Sequence, residues 1–125
     1  MIAGPSGLEG PYDEVEFLDR VEGDRELGQE IMQMFLDQCP KTLSEIDEAM
    51  RRGDLDSLGR QAHSIKGTVG IFGARDSHAA ALGLETAARS GDMGTIRQAW
   101  TQLKQEINRL TAAIQEKRGT VPCDF

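Results

Sequence analysis

Apolar residues recur at steps of three and four along most of the chain, which is the spacing of one face of an α-helix. The most regular run lies towards the C-terminus and extends over about six helical turns. Its members are Met93, Ile96, Trp100, Leu103, Ile107, Leu110 and Ile114. No segment alternates apolar and polar residues with the period of a β-strand. The pattern therefore predicts an all-α fold.

Aspartate and glycine residues divide this pattern into separate helices. An Asp before an apolar run can cap the first N–H groups of a helix, and a Gly after a run can end it. These signals predict a short helix over about 13–21, long helices over about 24–53, 54–72, 77–90 and 92–119, and a turn at 73–76. Four long helices with short connections predict an antiparallel up-down-up-down bundle with a short additional N-terminal helix. The bundle is assigned to residues 12–118, with a flexible leader at 1–11 and a flexible tail at 119–125.

The apolar stripes of the two helices predicted at 24–53 and 54–72 also indicate which residues enter the core. In the helix at 24–53 the predicted stripe is Leu27, Ile31, Met34, Phe35, Cys39, Leu43, Ile46 and Met50. In the helix at 54–72 it is Leu55, Leu58, Ala62, Ile65, Val69 and Phe72. A bundle whose apolar stripes are satisfied internally needs no second subunit, so we expect a monomer.

Charge and cysteine content narrow the classes of function. The formal net charge of −7 argues against a nucleic-acid-binding protein, because such binding depends on clustered Lys and Arg. Cys39 and Cys123 are far apart and fit reduced thiols better than a disulfide framework, which indicates the cytoplasm. The sequence contains neither an apolar run of membrane-spanning length nor a signal-peptide pattern.

His63 is the candidate for chemistry, because it lies away from the apolar stripe of its helix. At about 100° per residue, the centre of that stripe lies roughly 130° from His63, so the imidazole is predicted to point out of the bundle. Gly59, Gly67 and Gly70 fall within about 40° of His63 on the same face. Each glycine costs a helix about 0.5–1 kcal/mol relative to alanine. Such a face favours close approach by a bulky partner.

Lys66 and Glu85 are predicted to complete the site. Lys66 lies about one turn along the helix from His63, displaced by roughly 60°. Glu85 follows a turn centred near Ala74 by as many residues as His63 precedes it, which places both about 16 Å from the hairpin end. A carboxylate that accepts a hydrogen bond from one ring nitrogen leaves the other nitrogen free as a nucleophile. In the alternative interpretation, Glu85 is an ordinary solvated helix acid.

Several short motifs stand in register with this arrangement of helices. They resemble the histidine phosphotransfer (HPt) domains of bacterial phosphorelays over roughly Tyr12 to Leu110. The pattern His-x-x-Lys-Gly is weak alone, but its register with the glycine series makes it specific. The matching features are the Gly23-Asp24 boundary, Phe35…Pro40…Leu43, Gly53-Asp54-Leu55, Ala62-His63-Ser64-Ile65-Lys66-Gly67, Gly73-Ala74 and Leu84-Glu85.

The resemblance implies a role for each matching residue. His63 is expected to carry the phosphoryl group on the ring nitrogen farther from the backbone. Lys66 is expected to be the electrostatic partner of that group, and Glu85 to orient the ring. Gly67 is similar to the small residue that leaves room for the phosphoryl group. The residues predicted to contact the partner are Gly59, Arg60, Gly67 and Gly70.

The resemblance also implies the partners. A response-regulator receiver domain would give the phosphoryl group from its aspartate, a second receiver aspartate would take it, and a hybrid sensor histidine kinase would stand upstream. The sequence shows neither a P-loop nor a carboxylate cluster around His63. We therefore predict no metal site, no cofactor and no enzymatic activity of its own, with Mg²⁺ supplied by the receiver.

Two alternative functions remain open at this point. One is a helical adaptor that binds and inhibits a response regulator without being phosphorylated, although the intact His63, Lys66 and Gly67 argue against it. The other is an HPt fragment of a larger hybrid or chemotaxis-type histidine kinase, since Ser64-Ile65-Lys66-Gly67 and Phe72-Gly73 are also similar to the phosphorylated domain of chemotaxis kinases. Met1 and the polar tail favour a separate polypeptide.

Overall fold

The computed structural model describes residues 11–117, and within this range all regular structure is helical. The helices are α1 (Glu14–Arg20), α2 (Arg25–Arg52), α3 (Leu55–Ile71), α4 (Arg75–Ser90) and α5 (Met93–Lys117). Each long helix packs against the next, and α2 also contacts α5, which closes the bundle. The all-α bundle with a short extra N-terminal helix is thus confirmed. The predicted leader, apart from Pro11, and the predicted tail lie outside the described residues.

The predicted caps explain most of the helix boundaries. Asp24 and Asp54 accept hydrogen bonds from Leu27 N and Ser57 N at 3.0 and 3.1 Å, which satisfies N–H groups that have no partner inside the helix. The turn expected at 73–76 is shorter than predicted, because α4 already begins at Arg75. Asp76 therefore lies in the first turn of α4, where a carboxylate is favoured by the helix dipole.

The core follows the predicted stripes in α3 and α5, but the stripe of α2 was partly wrong. Leu27 and Met34 are 41% and 57% exposed, whereas Met32 is buried. The true stripe of α2 also has steps of three, four and seven, rotated slightly from the predicted one. Its buried apolar members are Met32, Phe35, Cys39, Ile46 and Ala49.

The short helix α1 covers the end of the bundle at the α3–α4 turn. Phe17 is buried and stacks on Phe72, with 4.9 Å between the ring centroids. The backbone N–H of Asp13 donates to Phe72 O at 2.9 Å. Gly73 has a φ of +65°, and a Cβ placed on it would lie 2.8 Å from Asp13 Cβ. Only glycine fits this turn, because both the backbone conformation and the space exclude a side chain.

Candidate functional site

His63 lies on the outer face of α3, with its side chain 67% exposed. Its Nδ1 atom is 2.9 Å from Oε2 of Glu85 on α4. The antiparallel return of α4 thus brings the two residues to the same height, as the count from the turn predicted. Because Nδ1 is engaged with the protein, the ring nitrogen Nε2 is the one left for an external group.

Glu85 is almost enclosed, with 9% of its side chain exposed, but Lys66, His63 and Arg89 contact its carboxylate. Lys66 Nζ donates to Oε1 at 2.9 Å, and His63 contacts Oε2. The hydrogen bond from Lys66 holds the pKa of Glu85 below its ordinary value of 4.5, against the opposing effect of burial and with further help from His63. An ionised carboxylate can only accept, so in the neutral ring the hydrogen bond places the proton on Nδ1 and leaves the Nε2 lone pair free.

Two open depressions flank His63 along α3. The first, which we call the His63 cleft, has a volume of about 680 Å³. The second, the Gly67 groove, lies towards the hairpin end and has a volume of about 460 Å³. The cleft is lined by Leu55, Asp56, Gly59, Arg60, His63, Glu85, Ala88 and Arg89. The groove is lined by Glu16, Arg20, Lys66, Gly67, Gly70, Ile71, Gly73, Ala74, Arg75 and His78.

The three glycines near His63 differ in what surrounds them. A Cβ placed on Gly67 would meet nothing within 4 Å, so this position is open to a partner. A Cβ on Gly59 would lie 3.8 Å from Ala88 Cβ, and one on Gly70 would lie 3.6 Å from His78 Cδ2. Gly59 and Gly70 therefore also face side chains of α4 at ordinary van der Waals distances, whereas Gly67 does not. The close packing of α3 on α4 is the reason.

Two arginines border the His63 cleft, and only one of them was singled out from the sequence. Arg60 is exposed and pairs with Asp56 one turn earlier on α3. Arg89 was missed; its Nη2 lies 3.3 Å from Glu85 Oε2, and its side chain is 72% exposed. The signal was available, because an acid and a base four residues apart on a helix are neighbours. Once Glu85 is placed in the site, Arg89 follows.

The remaining candidates for chemistry have simpler surroundings. Cys39 is a free buried thiol whose pKa is raised to about 11 by burial, so it stays protonated and packs as an apolar side chain. His78 is exposed at the Gly67 groove. Within residues 11–117, no group of three or more His, Cys, Asp and Glu side chains is arranged to hold a metal ion.

Comparison with known proteins identifies the family to which the chain belongs. The model of the Hpt domain family matches residues 30–113, about two thirds of the chain, and this range contains His63, Lys66 and Glu85. The chain belongs to the Hpt domain family. Its function is histidine phosphotransfer in a phosphorelay, and Hpt domains act there as carriers of the phosphoryl group.

A solved structure is similar to this Hpt domain in fold. It is the HPT domain from the Hpt sensor hybrid histidine kinase of Shewanella, with a TM-score of 0.69. The two chains are 19% identical, and the match covers 80% of this chain and 86% of the other. No match was found among curated proteins. Of the helices within residues 11–117, none has a stretch long and apolar enough to cross a membrane.

Proposed function

We propose that His63 is the phosphorylated residue of this Hpt domain and that it accepts the phosphoryl group on Nε2. The observation that carries the proposal is the exposed ring of His63, whose Nδ1 lies 2.9 Å from an almost enclosed carboxylate. This geometry selects one tautomer and presents the other nitrogen to a partner. An imidazole held in this way is a nucleophile before the partner arrives.

The transfer step conserves charge and electrons. The Nε2 lone pair attacks the phosphorus of an aspartyl phosphate, the N–P bond forms, and the P–O bond to the aspartate breaks. The carboxylate leaves with the electron pair, and Nδ1 keeps its proton. Glu85 Oε2 accepts a hydrogen bond from that proton, so the positive charge that develops on the ring is stabilised where it appears.

The other components of the reaction come from the partner. A receiver domain supplies the aspartate, and the Mg²⁺ that neutralises the phosphoryl oxygens is bound by the receiver. The direction is from one receiver aspartate to His63 and on to a second, downstream of a hybrid sensor histidine kinase. The open position at Gly67 and the exposed Arg60 support docking on this face, with Gly59 and Gly70 at its edges. The carrier works as a monomer in the cytoplasm and has no catalytic site for ATP.

Phosphotransfer from a labelled receiver tests the proposal. The purified protein is mixed with a phosphorylated receiver and Mg²⁺, and acid-labile, alkali-stable label on the chain is measured at early times. We expect rapid labelling of the wild type and of a His78→Gln control, and none of His63→Gln. Label that persists in His63→Gln would refute the assignment. A receiver that binds the wild type without any transfer would favour the inhibitory adaptor instead.

A further inference from the structure

The Gly67 groove already contains a carboxylate, which belongs to the chain itself. Among the described residues that line the groove, Glu16 of α1 is the only acid, and Arg20, Lys66 and Arg75 line it as well. The side chain of Glu16 is 29% exposed. The groove is therefore a cationic depression in a chain of net charge −7, and an internal anion fills part of it.

Two arginines hold the two oxygens of Glu16 separately. Arg20 Nη2 donates to Oε2 at 2.5 Å, and Arg75 Nη2 donates to Oε1 at 3.3 Å. The carboxylate lies against the backbone of Gly73, where a Cβ would be 3.2 Å from Oε1 and 3.1 Å from Cδ. We call Arg20, Gly73 and Arg75 the carboxylate cradle. It presents guanidinium groups, which suit carboxylates, beside a residue that has no side chain to obstruct them.

Glu16 can leave the cradle at a small cost. The side chains of Arg20 and Arg75 are 48% and 59% exposed, and exposed ion pairs contribute little to stability. Phe17 holds α1 by other means, since it is buried and stacks on Phe72. The helix therefore stays in place when the side chain of Glu16 moves into solvent.

The cradle lies within reach of a protein that docks on His63. Gly73 follows His63 by ten residues, which is about 15 Å along α3. A standard interface buries about 800 Å² on each partner, and a disc of that area has a radius of about 16 Å. A partner centred on His63 thus covers the cradle with its edge. Charges at the edge of an interface act mainly on the association rate and on its dependence on salt.

We propose that the carboxylate cradle binds an acidic side chain of the docking receiver domain, and that Glu16 is an internal competitor for this site. In the free protein Glu16 occupies the cradle. When the receiver docks, its carboxylate takes the place of Glu16 between Arg20 and Arg75, and no covalent bond changes. A receiver without an acid at this position gains nothing from the exchange, so the cradle discriminates among receivers. The inference rests on the proposed docking of a receiver at His63.

Acetate replaces the partner's carboxylate in a test that needs no receiver. Glu16→Ala empties the cradle and keeps both arginines. The Nε–H signals of the arginines are followed by ¹H–¹⁵N NMR during addition of sodium acetate, with sodium chloride at equal ionic strength as the reference. We expect acetate to shift the signals of Arg20 and Arg75 saturably in Glu16→Ala but not in the wild type.

Glu14→Ala is the matched control, because it removes an acid from the same helix outside the groove. Glu14 pairs with Lys117 at 2.6 Å, and neither residue lines the groove. Acetate should leave the signals of Arg20 and Arg75 in Glu14→Ala as they are in the wild type. Equal shifts in the two variants, or no saturable shift in Glu16→Ala, would overturn the proposal.

Association rates test whether a receiver uses the cradle. The partner is a receiver that labels His63 in the transfer assay, and stopped-flow measurements give the rate constant at low and high salt. We expect Glu16→Ala to raise this constant about threefold at low salt and Arg75→Gln to lower it about threefold. Both effects should shrink at high salt.

The opposite signs separate competition from loosening of α1. Both substitutions remove the ion pair between Glu16 and Arg75, so a loosened α1 would move the two rates in the same direction. Rates that move together, or an equal gain in Glu14→Ala, would contradict the proposal. If no receiver labels His63, the proposed function fails, whereas the acetate titration still decides whether the cradle binds a carboxylate.

Discussion

Glu85 keeps its negative charge although the helices enclose most of its side chain. Burial alone would favour the neutral acid, but the hydrogen bond from Lys66 reverses that preference. A neutral acid could donate a proton to the ring and would leave the tautomer of His63 undefined. In the proposed mechanism, the ion pair between Lys66 and Glu85 therefore supports the nucleophilicity of His63 Nε2, which neither residue contacts.

The lowered pKa of Glu85 has a consequence for stability that can be measured. A carboxyl group with a lower pKa in the folded chain stabilises the fold above its ordinary pKa near 4.5, and this contribution is lost as the pH falls through the folded value. We expect the wild type to lose more unfolding free energy between pH 6 and pH 3 than Glu85→Gln does. Urea titrations at both pH values measure the difference.

The control for this experiment is Glu116→Gln, which removes an exposed carboxylate from α5. It should follow the pH dependence of the wild type more closely than Glu85→Gln does. A constant stability difference between wild type and Glu85→Gln over the whole pH range would contradict the role of the ion pair.

At the residue scale, the sequence located Glu85 but missed Arg89. The height of Glu85 followed from the constant rise of two helices around one turn, which needs no knowledge of side-chain conformation. Arg89 reaches Glu85 only through its own side-chain conformation, and periodicity does not specify that. The surroundings of Gly59 and Gly70 were missed for a related reason, since they depend on how closely α3 and α4 pack.

At the scale of elements, α1 and the turn between α3 and α4 depend on each other. The turn requires glycine at position 73, and α1 covers that turn through Asp13 and Phe17. Arg75, the first residue of α4, adds ion pairs to Asp13 and Glu16 at 3.6 and 3.3 Å. The short helix thus holds the end of the hairpin that carries His63 and Glu85.

Two glycine-to-alanine substitutions test this coupling. Gly73→Ala should destabilise the fold by about 1–3 kcal/mol, because alanine is strained at positive φ and its Cβ would collide with Asp13. Gly67→Ala is the matched control: its Cβ meets nothing within 4 Å, so it should stabilise the fold by about 0.5–1 kcal/mol. Chemical denaturation measures both. Equal effects of the two substitutions would show that the turn does not restrict position 73.

The helix stripes were predicted well where a helix is packed along its whole length. In α3 and α5 the predicted stripes are buried apart from their first members, Leu55 and Met93, which are partly exposed. In the long helix α2, Leu27 and Met34 are exposed to 41% and 57%. The sequence pattern could not show which apolar residues of α2 no neighbouring helix would bury. When a helix has several apolar residues close to its stripe, the spacing locates the buried face only to within one residue.

At the scale of the whole molecule, the core and the site are separate parts of one bundle. Leu103 and Ile107 of α5 are fully buried, whereas His63 lies on the opposite, solvent-facing side of α3. Small domains generally unfold in one cooperative step, so the packing of the core determines the free energy of unfolding of the whole bundle. The core holds together the helices that carry the site, but core side chains take no part in the proposed chemistry of His63.

Leu103→Ala should therefore lower stability without changing the transfer rate of the folded protein. Removing a fully buried leucine side chain costs about 2–5 kcal/mol. Leu82→Ala, at a position 44% exposed, should change the unfolding free energy by at most about 0.5 kcal/mol. Denaturation curves give the stabilities, and initial phosphotransfer rates are compared where both variants are folded. A rate loss in folded Leu103→Ala would show that the core also tunes His63.

His63, Lys66 and Glu85 all lie in the hairpin formed by α3 and α4, within residues 55–90. The arrangement thus needs one short loop closure rather than contacts between distant parts of the chain, and local contacts form early in folding. A chimeric bundle that receives this hairpin on compatible flanking helices would inherit the proposed acceptor, its counter-ion and the spacing between them. Because the predicted docking residues Gly59, Arg60, Gly67 and Gly70 lie on the same hairpin, it would carry its partner contacts together with its chemistry.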